Sequence, residues 1–178
     1  MPNSIVVGIA NVDRYRDFTS LSKIKEDIES IPNNGGLEKF MAFIEKEVQP
    51  LIAKNYKVNE HRTIIGQSLG GLLATEILFK KPDLFDNYII VSPSLWWDDE
   101  NLLNFKPINY NNNKSIYIAV GKEGQVMERT AKELYEKLNS NKKQNTRLFF
   151  NFLENKTHGD ALHIAVYDAF EKIYSSKK

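Results

Sequence analysis

The sequence predicts one α/β domain over residues 1–178, a mostly parallel sheet with helices on both faces. Three observations predict it. Short, continuously apolar, β-branched runs recur along the chain, as in strands covered on both faces. They alternate with stretches whose apolar residues keep three-and-four spacing, which implies βαβ units. No repeat, low-complexity linker or composition break divides the chain, and "NYNNNK" (109–114) reads as a solvated loop.

The elements follow in order. "SIVVGIA" (4–10) reads as a buried strand, followed by a polar stretch ending in the turn residues "IPNNGG". Leu37, Phe40, Met41, Ile44, Val48, Leu51 and Ile52 share one face of a helix that Pro50 should kink or bring to its last turns. "HRTIIG" (61–66) is the next strand, and "LGGLLATEILFKK" a helix beginning directly after Ser68. "NYIIVSPS" (87–94) and "KSIYIAVG" (114–121) are strands, with a short helix or loop, "LWWDDENLLNF", between them. Met127, Ala131, Leu134 and Leu138 line another helix, "TRLFFNFLE" (146–154) is a strand, and residues 161–174 form a final helix.

Composition narrows the chemistry. A net charge of +1 supplies no pull toward nucleic acid or an anionic membrane surface. The absence of cysteine removes disulfides, thiolate metal sites and cysteine nucleophiles. No apolar run approaches the ~20 residues that span a bilayer, and the first residues lack the pattern of a signal peptide. The compartment depends on what precedes Met1: cytoplasmic if the chain is complete, periplasmic or secreted if an upstream signal segment belongs to it.

"IIGQSLGGLLA" (64–74) holds the most informative motif. A serine between glycines two residues away, after a strand and before a helix, has the pattern of a nucleophile elbow. There the serine adopts a strained backbone conformation, so Gly66 and Gly70 are read as the small flanking residues that spare a clash. The helix N-terminus offers free N–H groups for a developing oxyanion, that of Leu69 first. The competing reading is a Gly-Ser turn chosen only for close packing. A phosphate loop would need Gly-Lys-Ser/Thr after the glycines, and a dinucleotide fingerprint G-x-G-x-x-G; neither is present.

Serine needs a base. His61 precedes the elbow strand at its far end, and His163 falls inside the final helix. His158, in "ENKTHGD" after the last strand, comes to the same sheet edge as the elbow and is the preferred base. The spacing of His158 and His163 is a weak zinc pattern, so no metal and no cofactor are assigned. Glu123, just past the strand "SIYIAVG", is the preferred acid to orient the imidazole, which gives the order serine, acid, histidine. Glu128 is the fallback, then Asp98 or Asp99; a helix-start carboxylate favoured by the dipole is the plainer reading of Glu123.

"IVVGIANVDRYRDFT", "GQSLGG", "SPSLWW", "VGKEG" and "THGDALHIAVYDAF" occur in the order seen in the Putative esterase family of α/β-hydrolases, the group of esterase D and ferric enterobactin esterase-like enzymes. The resemblance spans nearly the whole chain. It implies an α/β-hydrolase fold and hydrolysis of small or siderophore-like carboxylic esters through an acyl-serine, with Ser68 and His158 matching nucleophile and base and Glu123 the acid. By the same resemblance, Gln67 beside the nucleophile, Trp96 and Trp97 of "SPSLWW", and Arg16 are candidate substrate contacts. Packing beneath a cap is the plainer reading of the tryptophans, and a salt-bridged loop that of Arg16. A catalytically silent fragment serving as a binding module, and an acyltransferase using the same serine, are the alternatives.

The resemblance also implies one family strand between residues 4–10 and the elbow strand, with a following loop that donates the second oxyanion N–H. Residues 1–178 are therefore expected to be an N-terminally shortened member carrying the Leu69 half of the oxyanion hole. Unpaired sheet edges are the expected result, with a homodimer through them as one way to cover them.

Overall fold

The computed structural model describes residues 3–175. Four strands form one parallel sheet in the order β1-β2-β3-β4: β1 (Thr63–Ser68), β2 (Asn87–Pro93), β3 (Lys114–Gly121) and β4 (Thr146–Leu153). Each crossover carries its connection over a sheet face, as parallel pairing requires. Seven α-helices accompany them: α1 (Arg14–Asp17), α2 (Lys25–Ser30), α3 (Leu37–Phe43), α4 (Gln49–Asn55), α5 (Leu69–Lys80), α6 (Gln125–Ser140) and α7 (Ala161–Tyr174).

The period of two along each strand divides the core. Tyr88, Ile90, Ile116, Ile118 and Val120 face one way, onto Leu72, Leu73 and Ile77 of α5 and Ala131 and Leu134 of α6. Ile89, Val91, Tyr117 and Ala119 face the other way, onto Ala161, Ala165, Ala169 and Ile173 of α7. Three alanines on that helix let it lie close to the sheet. Where a polar group enters this layer it is paired: the Tyr117 hydroxyl donates to Asp168 Oδ2 at 2.6 Å, and burial pushes its pKa upward. All of β2 and β3 is buried, as the continuous apolar runs predict for strands covered on both faces.

The segment 4–10 departs from the expected buried strand. It has no regular secondary structure, and Val6 is 89% exposed. An apolar run becomes a strand only if a neighbour completes its ladder, and among the described residues β1 is laddered to β2 alone. The helical stripe from Leu37 to Ile52 continues past Pro50 to Asn55, but through a π-helical turn at Ile44–Val48. Proline cannot supply the N–H for a preceding carbonyl, and a widened turn just upstream absorbs the misfit.

The C-terminal ends of all four strands lie on one rim, where parallel α/β sheets carry their sites. Among the described residues, every non-glycine with positive φ occurs at Ser68, Ser92 or Asp98–Glu100, at or after the ends of β1 and β2.

Candidate active site

Ser68 is the hinge between β1 and α5, with φ 60° and ψ −123°. A serine at a helix N-cap ordinarily bonds a first-turn N–H with its hydroxyl. Here the strained backbone prevents that, no side-chain cap bond forms, and the hydroxyl stays available. The Leu69 N–H belongs to the first turn of α5, whose leading N–H groups have no partner within the helix.

The glycines around Ser68 divide the steric work differently from the motif. A Cβ on Gly66 would run into the backbone carbonyl of Gly70, so the fold-back of the elbow itself demands glycine there. A Cβ on Gly70 would meet nothing within 4 Å, so the expected need for glycine at 70 is corrected. The third glycine is crowded instead: a Cβ on Gly71 would lie 2.9 Å from Pro93 Cα and 3.0 Å from Val91 O, where α5 packs on β2. Gly66→Ala is expected to prevent the elbow from forming, and Gly71→Ala to cost about 1–3 kcal/mol by overpacking. Gly70→Ala should raise stability by about 0.5–1 kcal/mol, as helix-interior Gly→Ala does. Thermal melting of the three variants checks the order; a Gly70→Ala protein that melts as low as Gly66→Ala would contradict it.

Glu123 follows β3 and His158 follows β4. His158 Nδ1 lies 2.6 Å from Glu123 Oε2, and the Glu123 side chain is 2% exposed against 47% for His158. The other carboxylate oxygen accepts the Gly121 N–H at 2.9 Å and the Ser92 hydroxyl at 2.5 Å. The two loops are also tied through backbone, Lys122 N–H to Lys156 O at 2.6 Å. That approach is possible because residue 121 is glycine: a Cβ there would stand 2.5 Å from Lys156 O. The His158 turn is closed by Asp160, whose Oδ1 accepts from the Thr157 N–H and hydroxyl.

The elbow is bound to its neighbours on both sides. Ser94 N–H donates to Ser68 O at 3.1 Å, and the two hydroxyls stand 3.4 Å apart, long for an O–H···O bond. Gln67 Nε2 donates to the His158 carbonyl at 2.5 Å. Among the described residues no hydrogen bond joins the Ser68 hydroxyl to the His158 ring; such contacts commonly tighten only with substrate in place.

The other candidates fall elsewhere. His61 is exposed at the opposite end of β1, and His163 sits on the exposed side of α7. Glu128 Oε1 accepts the N–H groups of Glu123 and Gly124, so it holds the loop that presents Glu123. Asp98 is occupied by Ser22, the Lys23 N–H and Asn101; burial works against its charge, and those bonds together still hold its pKa below the ordinary value. Asp99 is exposed.

Among the expected substrate contacts, Trp97 is corrected. It is 2% exposed, lies in the core, and donates its indole N–H to Ser20 O at 3.0 Å. Trp96, two residues beyond Ser94, is 39% exposed and packs edge-on against Trp97. Gln67 spends one amide N–H on the His158 loop. Arg16 is paired with Asp17 at 2.7 Å and lines a cavity of about 290 Å³ with Ile9, Asn11 and Phe40. A second cavity, about 120 Å³, lies beside Trp97, Glu76 and Phe105; neither is lined by Ser68, Glu123 or His158.

Ser92 and Ser94 are not singled out by the motifs, although "SPS" stands at the C-terminal end of a strand, the rim where site residues gather.

A family model described as "Putative esterase" matches residues 1–163. The chain belongs to this esterase family. Its relatives include the ferri-bacillibactin esterase BesA of Bacillus subtilis, 36% identical over 92% of this chain and 64% of that protein. A siderophore triacetylfusarinine C esterase of Aspergillus fumigatus is 33% identical over 61% of this chain and 40% of its own length. The crystal structure of the BES protein from Bacillus cereus superposes with a TM-score of 0.80 at 30% identity, over 92% of this chain and 64% of that one. The chain thus spans less than two thirds of each of these relatives. The fold is that of the α/β-hydrolases, with its parallel sheet covered by helices on both faces.

Proposed function

We propose that this member of the esterase family is a serine hydrolase of carboxylic esters, with Ser68 as nucleophile, His158 as base and Glu123 as the acid that orients it. The observation that carries the reading is the 2.6 Å pair between His158 Nδ1 and the buried Glu123 carboxylate, on the rim where Ser68 stands on a strained elbow with its hydroxyl not engaged in capping the helix. With Nδ1 engaged, Nε2 is the imidazole nitrogen left to take a proton from serine.

The chemistry then runs in two halves. The Ser68 oxygen attacks the ester carbonyl carbon as its proton passes to His158 Nε2, and the oxyanion forms against the Leu69 N–H. The ester C–O bond breaks, His158 returns the proton to the departing alkoxide, and an acyl-serine remains. Water repeats the sequence and releases the acid. These steps use no metal ion or cofactor. The substrate class we assign is a siderophore-like ester, on the strength of two relatives named for siderophore esters. Trp96, partly exposed near the elbow, is the aromatic surface assigned to a substrate ring.

A fluorophosphonate probe tests the reading. The wild-type chain is expected to be labelled at Ser68 and the Ser68→Ala variant not at all. A folded wild-type protein that resists labelling would favour a silent binding module instead. Among the described residues, no helix is long and apolar enough to cross a membrane.

A further inference from the structure

We propose that Ser92 is a positioning residue for the ester hydrolysis assigned above, holding the Glu123 carboxylate in the orientation that engages His158. The proposal rests on that assignment, because the group it positions is the proposed acid.

The backbone shows why Ser92 reaches Glu123. β1 and β2 pair in register to Gln67 with Val91, and the next pair is Ser68 with Pro93, so the ladder skips Ser92. This is a β-bulge, a device that re-aims one side chain out of the regular alternation. Ser92 sits there with φ 45°, a conformation that favours glycine, and is completely buried. A serine kept at such a position trades backbone ease for its hydroxyl. That hydroxyl donates to Glu123 Oε1 at 2.5 Å.

The carboxylate is therefore held at both ends. Oε1 is fixed by Ser92 and by the Gly121 N–H, and Oε2 is left pointing at His158. Without the hydroxyl, Oε1 keeps only the Gly121 N–H, and the last torsion of Glu123, a broad and soft one, is restrained by that bond and by His158 alone. The same short segment touches the nucleophile, since Ser94 N–H holds Ser68 O. One bulge thus aligns the acid with the elbow across neighbouring strands.

Glycine is the informative substitution, because it removes the hydroxyl and relieves the strained backbone together. A hydrogen bond to a charged group is strong enough to be worth a factor of about ten to a hundred. Ser92→Gly is expected to lower kcat for p-nitrophenyl acetate about tenfold with KM unchanged, while its melting temperature holds or rises. In the Glu123→Gln background the same change should alter kcat less than about twofold, since the group it positions is already disabled. Ser92→Ala, which keeps a Cβ at the strained position, should show the same fall in kcat with a lower melting temperature. Equal losses from Ser92→Gly in both backgrounds, or an unchanged kcat in a Ser68-dependent esterase, would overturn the positioning role alone. Turnover that survives Ser68→Ala would instead remove the esterase assignment, and the Ser92 role with it.

Discussion

His158→Ala is expected to lower kcat/KM for an activated ester by about 10⁵-fold, while His163→Ala leaves it within a few-fold. The large number follows from the unit behaviour of nucleophile and base: without a proton acceptor the serine hydroxyl is a weak nucleophile, and the remaining catalysis comes from binding and oxyanion contacts. The small number follows from place, because His163 lies on the exposed side of α7 and shares no contact with Glu123. Steady-state kinetics of both variants at matched folded fraction is the check. A His163→Ala enzyme as impaired as His158→Ala would show that the base has been assigned to the wrong histidine.

The second largest effect belongs to Glu123. Replacing it with glutamine is expected to cost about 10³-fold in kcat, less than loss of the base but far more than a peripheral change. The substituted amide can offer its NH₂ to Nδ1, which selects the tautomer carrying its proton on Nε2, where it cannot accept from Ser68. Glu128→Gln provides the contrast. Its side-chain oxygen can still accept the N–H groups of Glu123 and Gly124, so turnover should stay within a few-fold. Stopped-flow acylation rates for the two variants decide the matter: equal rates would sink the assignment of Glu123 as the acid.

Much of this architecture is legible in the residues because its strongest signals are local. Residues 114–121 read as a buried strand and 161–174 as a helix, and the structure gives β3 and α7 those bounds. In both, an apolar pattern is closed by unambiguous turn residues, so nothing distant had to intervene. Ser68, Glu123 and His158 come to one rim for a comparable reason: Ser68 ends β1, Glu123 and His158 lie in the loops that leave β3 and β4, and parallel strands end together.

What the residues do not disclose is set by neighbours. The run at 4–10 is apolar enough for a strand, yet pairing is a property of two segments. The π-helical turn at Ile44–Val48 rotates the following stripe, which leaves Leu51 59% exposed although its spacing from Leu37 fits one face. The motif singles out Gly70, and only the approach of β2 makes Gly71 the crowded one. The bulge at Ser92 is likewise a register event between strands, which "SPS" in β2 does not specify by itself.

The positive-φ residues of the rim have a bearing on how this molecule would wear under selection. Ser68, Ser92, Asp98, Asp99 and Glu100 each hold a backbone conformation that costs on the order of 1 kcal/mol or more outside glycine. Domains of this size fold with a net margin of only about 5–15 kcal/mol. The packing of the fully buried strands β2 and β3 has to offset that cost. Drift that relaxes Ser68 or Ser92 toward glycine would toughen the protein while blunting its chemistry, so resilience and reactivity pull on these two positions in opposite directions.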